Sequence, residues 1–440
     1  MIKKIAPYAA ALIFAATPEP ALPADSQPAT APVMDSLLAS PELWRMNREQ
    51  FAQYGQPLGF NWVSNARDAS QTTEHVTLFQ IPTYQTVARF DADKLKELTV
   101  LFYNRGDAGE IGKAQFEGIV KKAADALTAF TKTKMLVRGR DAASAVHAEG
   151  LEWKSANAGY LLEYSFTKEN RAARTPYRAE FVRLVVRPVQ QGGNFVAAAI
   201  AAREKAKFTG PAHVKKEASG DMVISDVPMV DQGQKGYCVV ASTERVIRYY
   251  GGKADEHELA EIANSSASGG TSVNAMIDSL KKLSNRLRVR VRTVEAFDVP
   301  QIQRLVAEYN RQAKRGRRAA EIPLGNYIDI QAIFTAMDTD VLRDARTKNP
   351  SELNRFQRNV QAHIDQGIPL LWSVMLGKVP EKNIPQNAGG HMRLIIGYNA
   401  KTSEIFYSDS WGPGHELKRM PAADAWTMTT GVYSIEPLGS

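Results

Sequence analysis

The stretch DQGQKGYCVVASTERVIRYYG, residues 231–251, decides how this chain is read. It holds the single cysteine of a 440-residue sequence, at the point where a glycine-punctuated polar loop becomes a helix-period segment. Gly236 breaks the chain just before Cys238. Val240, Ser242, Val246, Ile247 and Tyr250 then form one apolar or small face, and Gly251 and Gly252 supply the stop. This predicts a helix over 238–250 with the thiol in its first turn. Unpaired backbone N–H groups and the positive end of the helix dipole favour a thiolate there, so the expected thiol pKa falls from ~8.5 into the range ~3.5 to 7.5. A lone cysteine excludes an internal disulfide and a thiolate-built metal site.

A nucleophilic thiol needs a base. The seven histidines are His75, His147, His213, His257, His363, His391 and His415. Six of them sit in loops or on helix faces with no polar constellation around them and read as solvated or core residues. His391 differs, because it follows NAGG and opens the strand-like HMRLIIGYN (391–399), which turns at NAKTS and returns as EIFYSDSW (404–411). With a hairpin apex near Ala400, Asp409 falls directly opposite His391, where Cβ atoms lie about 5 Å apart and a carboxylate accepts the imidazole N–H. An attacked carbonyl also needs an oxyanion donor. Gln232 precedes Cys238 in a loop that Gly233 and Gly236 allow to bend back, so its side-chain amide is the candidate, and Gln234 competes with it. Trp411 is placed to shield the His–Asp pair from water or to serve as ordinary core.

Together these residues resemble the papain-like cysteine peptidases. QGQKGYC (232–238) carries that family's Gln, Gly, Gly and Cys at the same spacings, and GGH followed by SDSWG carries its His and its NSWG segment in order. GYCVVAS opening one helix and GTSVNAM starting a later one look most like the branch related to the bacteriocin-leader-processing, double-glycine peptidases. The resemblance covers about 225–440. It implies Cys238 as nucleophile, His391 as base, Asp409 as orienting residue, Gln232 as oxyanion donor, and peptide or protein as substrate, with no cofactor. Asp409 stands where papain has Asn, and the basic EYNRQAKRGRRAAEIPLGNYID region between Cys238 and His391 has no counterpart in the pattern.

The rest of the chain frames this segment. Residues 1–24 combine lysines, an Ala-rich apolar stretch and small residues, the composition of a cleaved export signal, so a secreted or periplasmic protein is expected. The apolar stretch is shorter than the ~20 residues of a spanning helix, and no later run reaches that length, so no integral membrane segment is expected after processing. Residues 25–40 read as a disordered lead-in. The expected organisation is an N-terminal α+β accessory domain over 41–208, a polar linker over 209–221 and a papain-like domain over 222–440, whose helices precede an antiparallel sheet.

In the N-terminal part the pattern predicts strands near 97–104, 159–166 and 179–189 and helices near 112–133 and 194–208. In the C-terminal part it predicts helices near 255–263, 272–284 and 351–367 and strands near 368–376 and 431–437. The net charge of +8 points to anionic envelope surfaces or acidic partners before nucleic acid. RLRVRVR (286–292) reads as a strand with one apolar face, and RQAKRGRR (311–318) as a helix end running into a charged loop. HELAE (257–261) lacks the second His of a zinc-protease helix. Two other functions fit a Cys-then-His order: a cell-wall peptide amidase or endopeptidase, and a non-catalytic binding protein on the same fold.

Overall fold

The computed structural model describes residues 33–438, apart from 73–75, 139–145, 147, 170–175, 190–207, 234–235, 253–255, 266–270, 326–327 and 387. The expected export signal, the expected helix over 194–208 except Phe208, which is not helical, and Gln234 lie outside the described residues. The architecture is α+β, built on two large antiparallel sheets that follow one another along the chain.

The first sheet has eight strands, in the order Phe60–Trp62, Ala69–Thr72, Gln85–Asp91, Lys94–Asn104, Arg178–Pro188, Ala158–Thr167, Ala148–Lys154 and Leu136–Arg138. The helix Lys113–Thr131 packs on it and buries Phe116, Ala123 and Leu127, the helical face that the spacing of those residues dictates. Met34, Leu37 and Leu38 join the same core from the short helix Asp35–Ala39. That part of the chain was expected in the disordered lead-in, and the burial of its three apolar side chains accounts for its order.

The second sheet runs Val214–Lys216, Asp221–Ile224, Gly389–Asn399, Leu370–Leu376, Thr429–Pro437 and Val289–Glu295. Glu404–Ser408 pairs with Gly389–Asn399 and then with Lys418–Pro421. The stretch 209–221, expected as a linker, thus already supplies a helical turn and an edge strand of this sheet. Both faces of the sheet are covered, so its inner strands are buried along most of their length, with His391 and Arg393 among their few polar residues. On one face Met392, Leu394, Leu371 and Ile435 pack against Val240 and Ile247 of the helix Cys238–Tyr249. On the other, Ile395, Trp372 and Val374 pack against Phe356 and Val360 of the helix Pro350–Ile364 and Trp426 of Ala422–Met428.

Val289 and Val291 are buried while Arg290 and Arg292 are exposed, as the alternation predicts, but the strand begins at Val289 because the short helix Ser284–Leu287 takes the start of the 286–292 stretch. RQAKRGRR does end a helix, as its pattern predicts, and the basic region without a counterpart in the pattern begins in the last turns of that helix, Val299–Lys314. Asp298 caps it through a reciprocal capping box with Gln301, and Ile302, Leu305, Val306 and Tyr309 pack with Phe334 and Leu342 into a separate small core.

Candidate active site

Cys238 is the first residue of the helix Cys238–Tyr249, preceded by Tyr237 at the cap position with no side-chain cap. The backbone N–H groups of Val239 and Cys238 and that of Met392 are hydrogen-bonded to the thiol. One turn on, the Ser242 hydroxyl donates to the Met392 carbonyl at 3.4 Å, so the helix start docks along the edge of the Gly389–Asn399 strand at Met392. His391 is the next residue of that strand. Strand alternation turns its side chain, with that of Arg393, to the opposite face from Met392.

The ring is held on two sides. His391 Nε2 lies 3.0 Å from Asp409 Oδ1, and the Trp411 ring stacks on the imidazole with centroids 4.1 Å apart. His391 Nδ1 has no hydrogen-bond partner among the described residues, so no hydrogen bond joins the imidazole to the thiol. His391 and Asp409 are fully buried and Cys238 is 3% exposed.

The register of the hairpin corrects the expected pairing. Leu394 stands opposite Ser408 and Asn399 opposite Glu404, with a bulge between Ile395 and Gly397. The turn therefore occupies 400–403, and the register carried one residue past Ser408 sets Asp409 against Arg393. Asp409 reaches His391 as a diagonal neighbour, which long side chains on one sheet face allow.

Several residues of this site were not anticipated. Arg393 donates from Nε to Asp409 Oδ1 at 2.8 Å and forms an ion pair with Glu381 at 2.9 Å, and the Tyr407 hydroxyl donates to Glu381 at 2.6 Å. Arg245, two turns along the cysteine helix, donates to the Asp409 carbonyl at 2.9 Å, to Ser408 Oγ at 2.6 Å and to the Pro228 carbonyl at 2.8 Å. One helix thus carries both the thiol and the guanidinium that clamps the Asp409 backbone.

Gln232 is drawn to the same segment. Its N–H donates to the Ser410 carbonyl at 2.9 Å, and the Ser410 hydroxyl donates to its Oε1 at 2.6 Å, which fixes the orientation of the amide. The loop bends as expected at Gly233, whose φ of +61° lies in the left-handed region and whose N–H donates to Asp231.

The electrostatics overturn the expectation of a depressed thiol pKa. Burial pushes the Cys238 thiol up, to about 12, and outweighs the three backbone N–H groups, while the Asp409 charge raises it further. Burial likewise lowers His391, against the hydrogen bond and charge of Asp409. For Asp409 burial alone raises the carboxyl, but the Arg393 charge and the His391 hydrogen bond prevail and hold it well below the usual carboxylate range. The group at rest is therefore a neutral thiol, a neutral imidazole and an ionised carboxylate.

Residues 324–434 match the Peptidase_C39 like family, a segment that includes His391 and Asp409 and begins downstream of Cys238. Among solved structures the chain is similar to Xylellain, a cysteine protease from Xylella fastidiosa, at 14% identity over 53% of this chain and 90% of that one, with a TM-score of 0.27. No curated protein matches the chain. Over the segment that carries His391 and Asp409, the chain is thus similar to the C39-like cysteine peptidases.

Proposed function

We propose that this chain is an exported peptidase that hydrolyses peptide bonds through Cys238, His391 and Asp409. The observation that carries the reading is the state of His391. Its Nε2 is committed to Asp409 at 3.0 Å, while its buried Nδ1 has no partner and belongs to the residue beside the amide that bonds the thiol. An imidazole oriented by a carboxylate on one nitrogen keeps the other available as a base.

In the proposed reaction Nδ1 takes the thiol proton as Sγ attacks the peptide carbonyl carbon. The C=O electron pair moves onto oxygen, where the Cys238 N–H and the Gln232 amide donate to it. Collapse of the adduct breaks the C–N bond. The leaving amine takes the proton from His391, and a thioester remains on Cys238. Water, deprotonated by His391, then attacks the thioester, releases the acid product and returns the proton to sulfur. Asp409 stays ionised throughout and stabilises the imidazolium. Export is supported by the composition of residues 1–24, and among the described residues no helix is long and apolar enough to cross a membrane.

The test is cleavage of a peptide library and of purified peptidoglycan by the wild type, Cys238→Ala and His391→Ala. Peptide cleavage by the wild type alone is expected. Cleavage retained in either variant would overturn the reading, and cleavage of peptidoglycan without cleavage of peptides would make the chain a cell-wall amidase. A binding protein without turnover is favoured by one observation, the burial of a thiol with its pKa near 12. Its signature is failure of the wild type both to cleave and to react with a peptidyl epoxide.

A further inference from the structure

We propose that the N-terminal half is a built-in positioning element for the cysteine helix, acting through Tyr237; the inference rests on Cys238 being the nucleophile. Tyr237 is fully buried and immediately precedes the thiol. Its carbonyl accepts from the Ala241 N–H at 2.8 Å, a bond of the helix's first turn, so a displaced Tyr237 displaces the backbone that carries Cys238. Its hydroxyl is gripped from the other sheet. Asn104 donates to it from Nδ2 at 3.0 Å, and a Cβ on Gly106 would stand 1.3 Å from the same oxygen. Only glycine fits there.

Asn104 is itself braced. Its Nδ2 donates to Asp107 at 3.1 Å and its Oδ1 accepts from the Gly106 N–H at 3.3 Å. The seat for the tyrosine is therefore formed by the end of a core strand and the turn after it.

Further contacts hold the halves in one register. Arg89 pairs at 3.5 Å with Glu244, which the cysteine helix buries at 1% exposure, and Arg183 pairs at 2.6 Å with the buried Glu258 of the next helix. Ile262 packs against the buried Leu101 and Phe181. These acids belong to the helices beside the thiol, and removing the N-terminal half would take Arg183 from Glu258 and leave Glu244 with Arg248 of its own helix in place of Arg89. A detachable blocking segment has no use for buried charge pairs of this kind, because breaking one leaves an uncompensated charge.

The proposal is tested in the full chain with Tyr237→Phe, Asn104→Ala, their double variant and Gly106→Ala. The readouts are kcat and KM measured separately, Cys238 labelling by a peptidyl epoxide, and amide hydrogen exchange at 239–241. Tyr237→Phe and Asn104→Ala should each lower kcat on the order of tenfold with KM little changed, since small misplacements of a reacting group act on the chemical step. The double variant should be no worse than Asn104→Ala alone, because both single variants remove the same Asn104–Tyr237 hydrogen bond.

First-turn amides should exchange about tenfold faster in every folded variant. Unchanged kcat and unchanged exchange in folded Tyr237→Phe and Asn104→Ala would overturn the proposal. A wild type that neither cleaves nor labels would instead overturn the catalytic reading, and the exchange data alone would then decide whether Tyr237 fixes the helix start.

Discussion

Arg393 and His391 converge on one atom, Oδ1 of Asp409, at 2.8 and 3.0 Å. The carboxylate is thereby kept ionised in a fully buried place, and the Arg393 charge, next to the imidazole, works against its protonation. Arg393→Met should raise the His391 pKa, read by NMR titration of the imidazole. It should also cost about 3–5 kcal/mol in denaturant unfolding, because Asp409 and Glu381 lose their buried cation. An unchanged His391 pKa would show that the Arg393 charge does not tune the base.

The proposed oxyanion role of Gln232 separates two effects. Gln232→Ala should reduce kcat by about 10²- to 10³-fold, the usual consequence of losing one donor. Ser410→Ala leaves the Gln232 amide in place but frees its orientation, so a smaller loss in kcat with KM nearly constant is expected. Equal activity of Gln232→Ala and wild type in a steady-state peptide assay would assign that donor elsewhere.

A thiol raised to about 12 by burial has a defined reactivity profile. Its alkylation by iodoacetamide should accelerate about tenfold per pH unit through pH 9, because the thiolate fraction grows in that proportion below the pKa. A preformed thiolate–imidazolium pair would instead give a flat profile across neutral pH. A plateau between about pH 5 and 8, set against model thiols of pKa near 8.5, would contradict the neutral resting state.

Glu261 lies where the two halves pack. Burial pushes its carboxyl up to about 8, with the Glu180 charge adding to the effect. A carboxyl with a raised folded-state pKa binds its proton more tightly folded than unfolded. It therefore subtracts stability as pH climbs from its unfolded value through 8, and has no such effect below both values. Glu261→Gln should leave unfolding unchanged near pH 4 and stabilise the chain by about 2–4 kcal/mol at pH 8.5. Urea midpoints at the two pH values check this.

The elements that order the site were legible because their signals are local. The glycine before Cys238 and the periodicity after it gave the helix, observed over Cys238–Tyr249, and the apolar runs gave the strand that carries His391 and the strand that ends just before Asp409. The exact register was not legible, since a bulge at Ile395 and a turn over 400–403 leave no mark in apolar alternation. Arg393 and Arg245 were hidden for another reason. An arginine within an apolar strand or helix looks like a solvated position, and only the assembled fold shows that Asp409, Glu381 and backbone carbonyls surround it. The thiol pKa was misjudged because the helix terminus is written in the sequence, whereas the depth of burial depends on what packs over it.

The most direct measurement is the rate at which Cys238 is acylated by a peptidyl electrophile at pH 7 in the wild type and in His391→Ala, followed by intact mass. A base acting on the thiol predicts a single adduct on Cys238 in the wild type and a rate at least about 100-fold lower in the variant. Equal rates in the two proteins, or an adduct on any residue other than Cys238, would contradict the account.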